Sequence, residues 1–148
     1  MYYDDLTSYE YYLPFKLPDV LNVGWLATDH AFAKADAPAG LLDRLQQILR
    51  AEGNFSARVN PIRGIHPCHH CGARQFQHPH IGSCEIWIPS QKAENYFAAP
   101  SLIIHYIEEH NYIPPQNFID AVFQVDTTVH FDGQTVYDNL VQARMPAA

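Results

Sequence analysis

Basic residues are scarce in this chain: nine Lys and Arg stand against 16 Asp and Glu, a formal charge of −7 with histidine neutral. Phosphate-backbone binders work by releasing counterions from clustered cations, so no nucleic-acid partner is expected. Cysteine is scarce too, with three in 148 residues. An odd number, two of them at CxxC spacing, fits a reducing compartment and metal binding better than a disulfide framework. No apolar run approaches membrane-spanning length, so no membrane association is expected. The acidic start, Met1-Tyr2-Tyr3-Asp4-Asp5, lacks the basic and apolar regions of a secretory signal, and a cytoplasmic location is the expectation. GxSxG, phosphate-loop and dinucleotide fingerprints are also missing.

What is present suffices for a core: 47% of residues are apolar and 17% charged, with 9 Tyr, 8 Phe and 2 Trp. The length suits one domain over 1–148. Residues 1–17 form a tyrosine-rich arm (Tyr2, Tyr3, Tyr9, Tyr11, Tyr12), in which Pro14 argues against a long helix, as does Pro18 just beyond. Nothing local decides whether the arm packs or stays mobile.

Residues 20–27 read as a buried strand, with Gly24 marking a bulge or close approach. Asp36 and Pro38 start a helix and Gly53 stops it; Leu41, Leu42, Leu45, Ile48 and Leu49 share one face. A strand is expected at 84–88 with 96–98 as partner. A buried helix follows at 101–110, with Asn111 as left-handed cap and Pro114-Pro115 as stop. A second runs over 115–125, with Phe118, Val122 and Val125 in a stripe and Ile119 and Phe123 beside it. Segments 127–131 and 134–138 flank Asp132-Gly133, a hairpin signal. These elements imply an α+β fold: a small antiparallel or mixed sheet with about three helices.

The chemistry concentrates at Cys68-His69-His70-Cys71-Gly72 and at His105 and His110, which have four residues between them. Two thiolates from a turn and two imidazoles from a helix complete the tetrahedral shell that zinc prefers, and both gaps are usual ligand spacings. Backbone N–H groups of such a turn can point at the sulfurs. Residues five apart on a regular helix are about 140° apart, so the two imidazoles converge only where the last turn is distorted. The layout predicts one structural zinc ion on Cys68, Cys71, His105 and His110. A zinc-knuckle turn is thus clamped to a helix, locally ββα or treble-clef-like.

Other readings compete. A thioredoxin-like pair needs CxxC after an apolar strand and before a helix, which this sequence does not offer. Haem attachment needs His after the second Cys, where Gly72 stands. The four residues can also be ordinary buried cysteines and core histidines. His66 can replace either helix histidine as ligand. His69 and His70 are expected to face solvent, His78 and His80 to lie in a loop, and Cys84 to pack in a strand. For catalysis, Glu85, Glu108 and Glu109 are the nearby carboxylates. HxxEEH is not the HExxH of metalloproteases, and no HxE precedes Pro67-Cys68 as in deaminases.

Arg63-Gly64-Ile65-His66-Pro67-Cys68-His69-His70-Cys71, Gly82-Ser83-Cys84-Glu85-Ile86 and the run from Tyr96 to Phe118 around HYIEEH resemble a family of small uncharacterised bacterial proteins, a domain of unknown function. Val23-Gly24-Trp25-Leu26 and Asp29-His30 fit the same pattern. The resemblance implies a bacterial source and that Cys68, Cys71, His105 and His110 belong to the recurring pattern; Cys84 departs from it. The functional expectation is a soluble module that binds an unidentified protein partner, immunity-like or regulatory, rather than an enzyme. Its acidic charge and tyrosine arm favour this reading, and a small zinc-dependent hydrolase is the alternative.

Overall fold

Alternation along two strands organises the molecule. In β7 (Glu85–Pro89), Ile86 and Ile88 point to one side of the sheet and Trp87 to the other. In its antiparallel neighbour β8 (Tyr96–Pro100), Phe97 and Ala99 join Ile86 and Ile88, while Ala98 joins Trp87. The structure is a computed structural model that describes residues 2–11, 13–61, 66–74 and 81–145, with the backbone alone for 66, 67, 72–74, 81 and 82.

The sheet is mixed. Strands β1 (Ser8–Tyr9), β2 (Leu17–Asn22) and β4 (Arg58–Val59) complete the order β1-β2-β8-β7-β4, in which only the β2–β8 pair is parallel. Two small pairs flank it: β3 (Phe55–Ser56) with β9 (Phe131–Asp132), and β5 (His66–Pro67) with β6 (Ile81–Gly82). Helices α1 (Leu41–Arg50), α2 (Ile103–His110) and α3 (Gln116–Gln124) supply Leu41, Leu45, Ile48, Ile103, Ile107, Phe118 and Val122 to the core on the Ile86 face. Helix α4 (Gly133–Arg144) and the N-terminal arm cover the Trp87 face.

Two expectations change, and the packing of the arm, left open by the sequence, is decided. The first strand starts at Leu17 and ends at Asn22, because the chain leaves the sheet at Gly24 (φ +79), where Ile103 approaches so closely that a Cβ would meet it at 2.9 Å. The arm is packed: Tyr9 and Tyr11 are buried, and Asp5 accepts hydrogen bonds from Gly24 N–H (2.9 Å) and Tyr112 Oη (2.8 Å). Tyr12 lies outside the described residues. The Asp132-Gly133 hairpin is instead the start of α4. The Asp132 carboxylate caps that helix by accepting from Thr135 N–H at 3.3 Å.

Pro100 ends β8, and Phe123 is exposed on α3. No helix among the described residues is long and apolar enough to cross a membrane.

Candidate metal centre

Between β4 and β7 the chain makes an excursion whose ends pair as β5 and β6. It includes a 3₁₀ turn, His69–Arg74, entered through Cys68, with Cys71 N–H donating to Cys68 O at 3.3 Å. The residues after Cys68 are thus helical, though only as a tight turn. The backbone N–H groups of His70 and Cys71 are directed at the Cys68 sulfur, as a knuckle requires. These bonds favour a thiolate. Burial outweighs them and pushes the Cys68 thiol up to about 11.

Helix α2 lies under this turn because its apolar residues bury nearly its whole circumference, leaving Glu108 and Glu109 exposed. His105 is held within that buried face, 2% exposed. The helix then ends abnormally. Asn111 takes the left-handed conformation (φ 56), and both its N–H and that of Tyr112 reach back to Tyr106 O, five and six residues earlier. That wide closure is the distortion that two histidines five apart demand.

The result is a cluster of four donors. Cys71 Sγ lies 3.2 Å from His105 Nε2 and 3.6 Å from His110 Nε2, and Cys68 Sγ lies 3.3 Å from His110 Nε2. No two of the four donor atoms are more than 4.8 Å apart. A tetrahedron with metal–sulfur and metal–nitrogen bonds of about 2.3 and 2.05 Å has S···N edges of about 3.5 Å. The three Sγ–Nε2 distances straddle that value. Cys68, Cys71, His105 and His110 can therefore hold a metal ion, and they form the one such group among the described residues.

The remaining candidates separate cleanly. His69 is exposed, as expected, but His70 is half-buried. Its ring packs edge-on against Phe32 (5.3 Å) and Tyr106 (5.9 Å) and beside His110 (5.5 Å). Burial lowers its pKa, and the neighbouring His110 lowers it further. His78 and His80 lie outside the described residues, as does the side chain of His66. Cys84 is half-buried, outside the cluster, with its backbone N–H on Ser101 Oγ and its thiol pKa raised by burial. Glu85 sits on the Trp87 face, away from α2. It accepts from Tyr9 Oη (2.7 Å), Trp87 Nε1 (3.1 Å) and Asn60 Nδ2 (2.7 Å).

Residues 1–123 match the family described as a domain of unknown function, DUF7919. The chain belongs to DUF7919. The DUF7919 match takes in the knuckle and α2, hence all four donors, and stops near the end of α3, so α4 lies beyond it. No curated protein and no solved structure matches the chain.

Proposed function

We propose that Cys68, Cys71, His105 and His110 hold one structural zinc ion, and that the domain is a zinc-stapled, non-enzymatic module that binds a protein partner in a reducing, cytoplasmic setting. The observation that carries the zinc reading is the convergence of four donors from two separate elements, with three sulfur–nitrogen distances close to a tetrahedral edge. Two thiolates and two neutral imidazoles are a donor set for zinc, and the complex is neutral, so it can be buried without an unpaired charge.

Packing explains what the staple is for. Among the described residues between Asn60 and Cys84, the buried side chains are Cys68 and Cys71. Among its described side chains burial is thus confined to two of the four donors, where metal bonds would add to the packing.

Hydrolysis is not favoured. Four protein donors leave no corner for water, Glu108 and Glu109 point to solvent, and Glu85 is occupied on the other sheet face. The interaction role draws support from the charge of −7 rather than from the tyrosine arm, in which Tyr9 and Tyr11 are buried. Scarce cations speak against nucleic acid.

Elemental analysis should find one zinc per chain, and X-ray absorption two sulfur and two nitrogen neighbours without a water oxygen. Three protein donors plus water would transfer support to the hydrolase. A purified chain that is folded and metal-free, and unaffected by chelators, would end the zinc reading. The interaction role is tested by whether a stoichiometric protein partner stays bound through size exclusion; a chain that always elutes alone speaks against it.

A further inference from the structure

On the side of the molecule formed by the β7–β8 turn, the end of α3 and the segment leading into β9, there is a cleft of about 370 Å³. That size falls in the range of ligand-binding cavities. Its walls are mostly apolar. Phe131 lies between Phe55 (ring centroids 5.4 Å apart) and Tyr96 (6.1 Å), the planes tilted by 33° and 32°, so the three rings fan across the cleft lining.

The polar lining is unequal in sign. Glu94 and Asp126 are carboxylates, and Lys92 is the one Lys or Arg among the lining residues. Asp126 is fixed by Thr128, whose N–H and Oγ1 donate to its Oδ1 at 2.9 and 2.6 Å. These bonds hold its carboxyl below the usual range, so it is ionised at neutral pH. Glu94 is carried on a turn residue in the left-handed region (φ 62). His130 Nδ1 is 3.2 Å from Asn54 Oδ1. Lys92 sits on a flexible four-carbon stem and can move to solvent.

An aromatic lining with acceptors around it is the chemistry that recognises a planar cation. A guanidinium stacks on rings while its fork of N–H donors meets carboxylates, and the chain's net charge of −7 favours a basic partner. We infer that this cleft receives an arginine side chain from a basic segment of the protein partner, its guanidinium lying on the Phe131 and Tyr96 rings and donating to Glu94 and Asp126. The inference rests on the reading of the domain as an interaction module. It does not involve the metal donors, none of which lines the cleft.

The test uses the full zinc-loaded chain and a Gly/Ser peptide carrying one central arginine, followed by amide chemical shifts. The control peptide carries citrulline, a neutral shape match. Arginine should perturb residues 92–96 and 125–131 and bind roughly tenfold tighter than citrulline. The double variant Glu94→Gln with Asp126→Asn, folded as judged by an unchanged melting temperature, should bind the arginine peptide no better than the citrulline one. Equal binding of both peptides at the cleft overturns the arginine assignment and leaves the interaction role standing. Shifts elsewhere, or none at millimolar peptide, overturn the cleft itself; the size-exclusion test of the interaction role is read separately.

Discussion

If the staple is structural, stability must respond to free zinc in a calculable way. A ligand bound only by the folded state stabilises it by about 1.4 kcal/mol for each tenfold rise in free ligand above its Kd, hence about 4 kcal/mol at a thousandfold excess. For a domain of this size each kcal/mol moves the midpoint by about 2–4 °C, so stripping the metal should lower Tm by about 8–16 °C. The perturbation that isolates the site is Cys71→Ser. Cys71 Sγ is the donor that approaches both imidazoles, at 3.2 and 3.6 Å, so its loss weakens the shell from two sides. Calorimetry in buffers of fixed free zinc should give a steep rise of Tm with log zinc for the wild type and a nearly flat line for the variant. A control separates the metal from general damage: Trp87→Leu, fully buried on the other sheet face, should cost about 3 kcal/mol yet keep the zinc slope. A wild-type Tm indifferent to zinc and chelator would refute the reasoning, as would a Cys71→Ser slope equal to the wild type.

Five further outcomes are expected. Burial raises the Cys68 thiol from its ordinary 9.0 to about 11, so in the metal-free fold its neutral form is favoured; stability is full below 9 and declines as pH rises toward 11. Zinc must displace that proton, so affinity measured against a chromophoric chelator should rise at least about tenfold per pH unit between about pH 6 and 8, and a flat profile would contradict this. Glu85→Gln puts an NH₂ where one carboxylate oxygen accepts from Tyr9 and Trp87 or from Asn60, and urea titration should show a loss of about 2 kcal/mol with the zinc slope intact. Gly24→Ala combines a φ of +79 with a contact of 2.9 Å to Ile103 and should cost about 1–2 kcal/mol, part of it recovered by Ile103→Val. Asn111→Val forces a β-branched residue into φ 56 and should shift His110 and lower zinc affinity, whereas Asn111→Gly should leave it unchanged.

Local signals were legible and distant ones were not. Helices α1, α2 and α3 could be read because leucine, isoleucine and phenylalanine recur at helical spacing between Gly, Asn and Pro stops. The last helix was misread because Asp-Gly is also the commonest hairpin dipeptide. Here Asp132 is a cap, and Gly133 is present because a Cβ would meet Val59 Cγ2 at 2.9 Å. The helical signal was there in Val136, Tyr137, Leu140 and Val141, which pack with Tyr9 and Trp87. Glu85 offers no such clue: its partners Tyr9 and Asn60 lie 76 and 25 residues away. The cleft is equally silent, since Phe55, Tyr96, Asp126 and Phe131 meet only in the fold.

The metal centre shows why one site can be read from sequence when its geometry looks wrong. A regular helix would send His105 and His110 in directions about 140° apart, which excludes a shared ion. The same stretch also carries the instruction that removes the objection. Asn111 can adopt φ 56, and Pro114 and Pro115 prevent the helix from continuing past it. The N–H groups of Asn111 and Tyr112 then both close on Tyr106 O, widening the final turn and bringing His110 within 3.3 Å of Cys68. Ligand spacing alone therefore underdetermines a site. Spacing read together with how the helix must end accounts for the convergence of the four candidate donors.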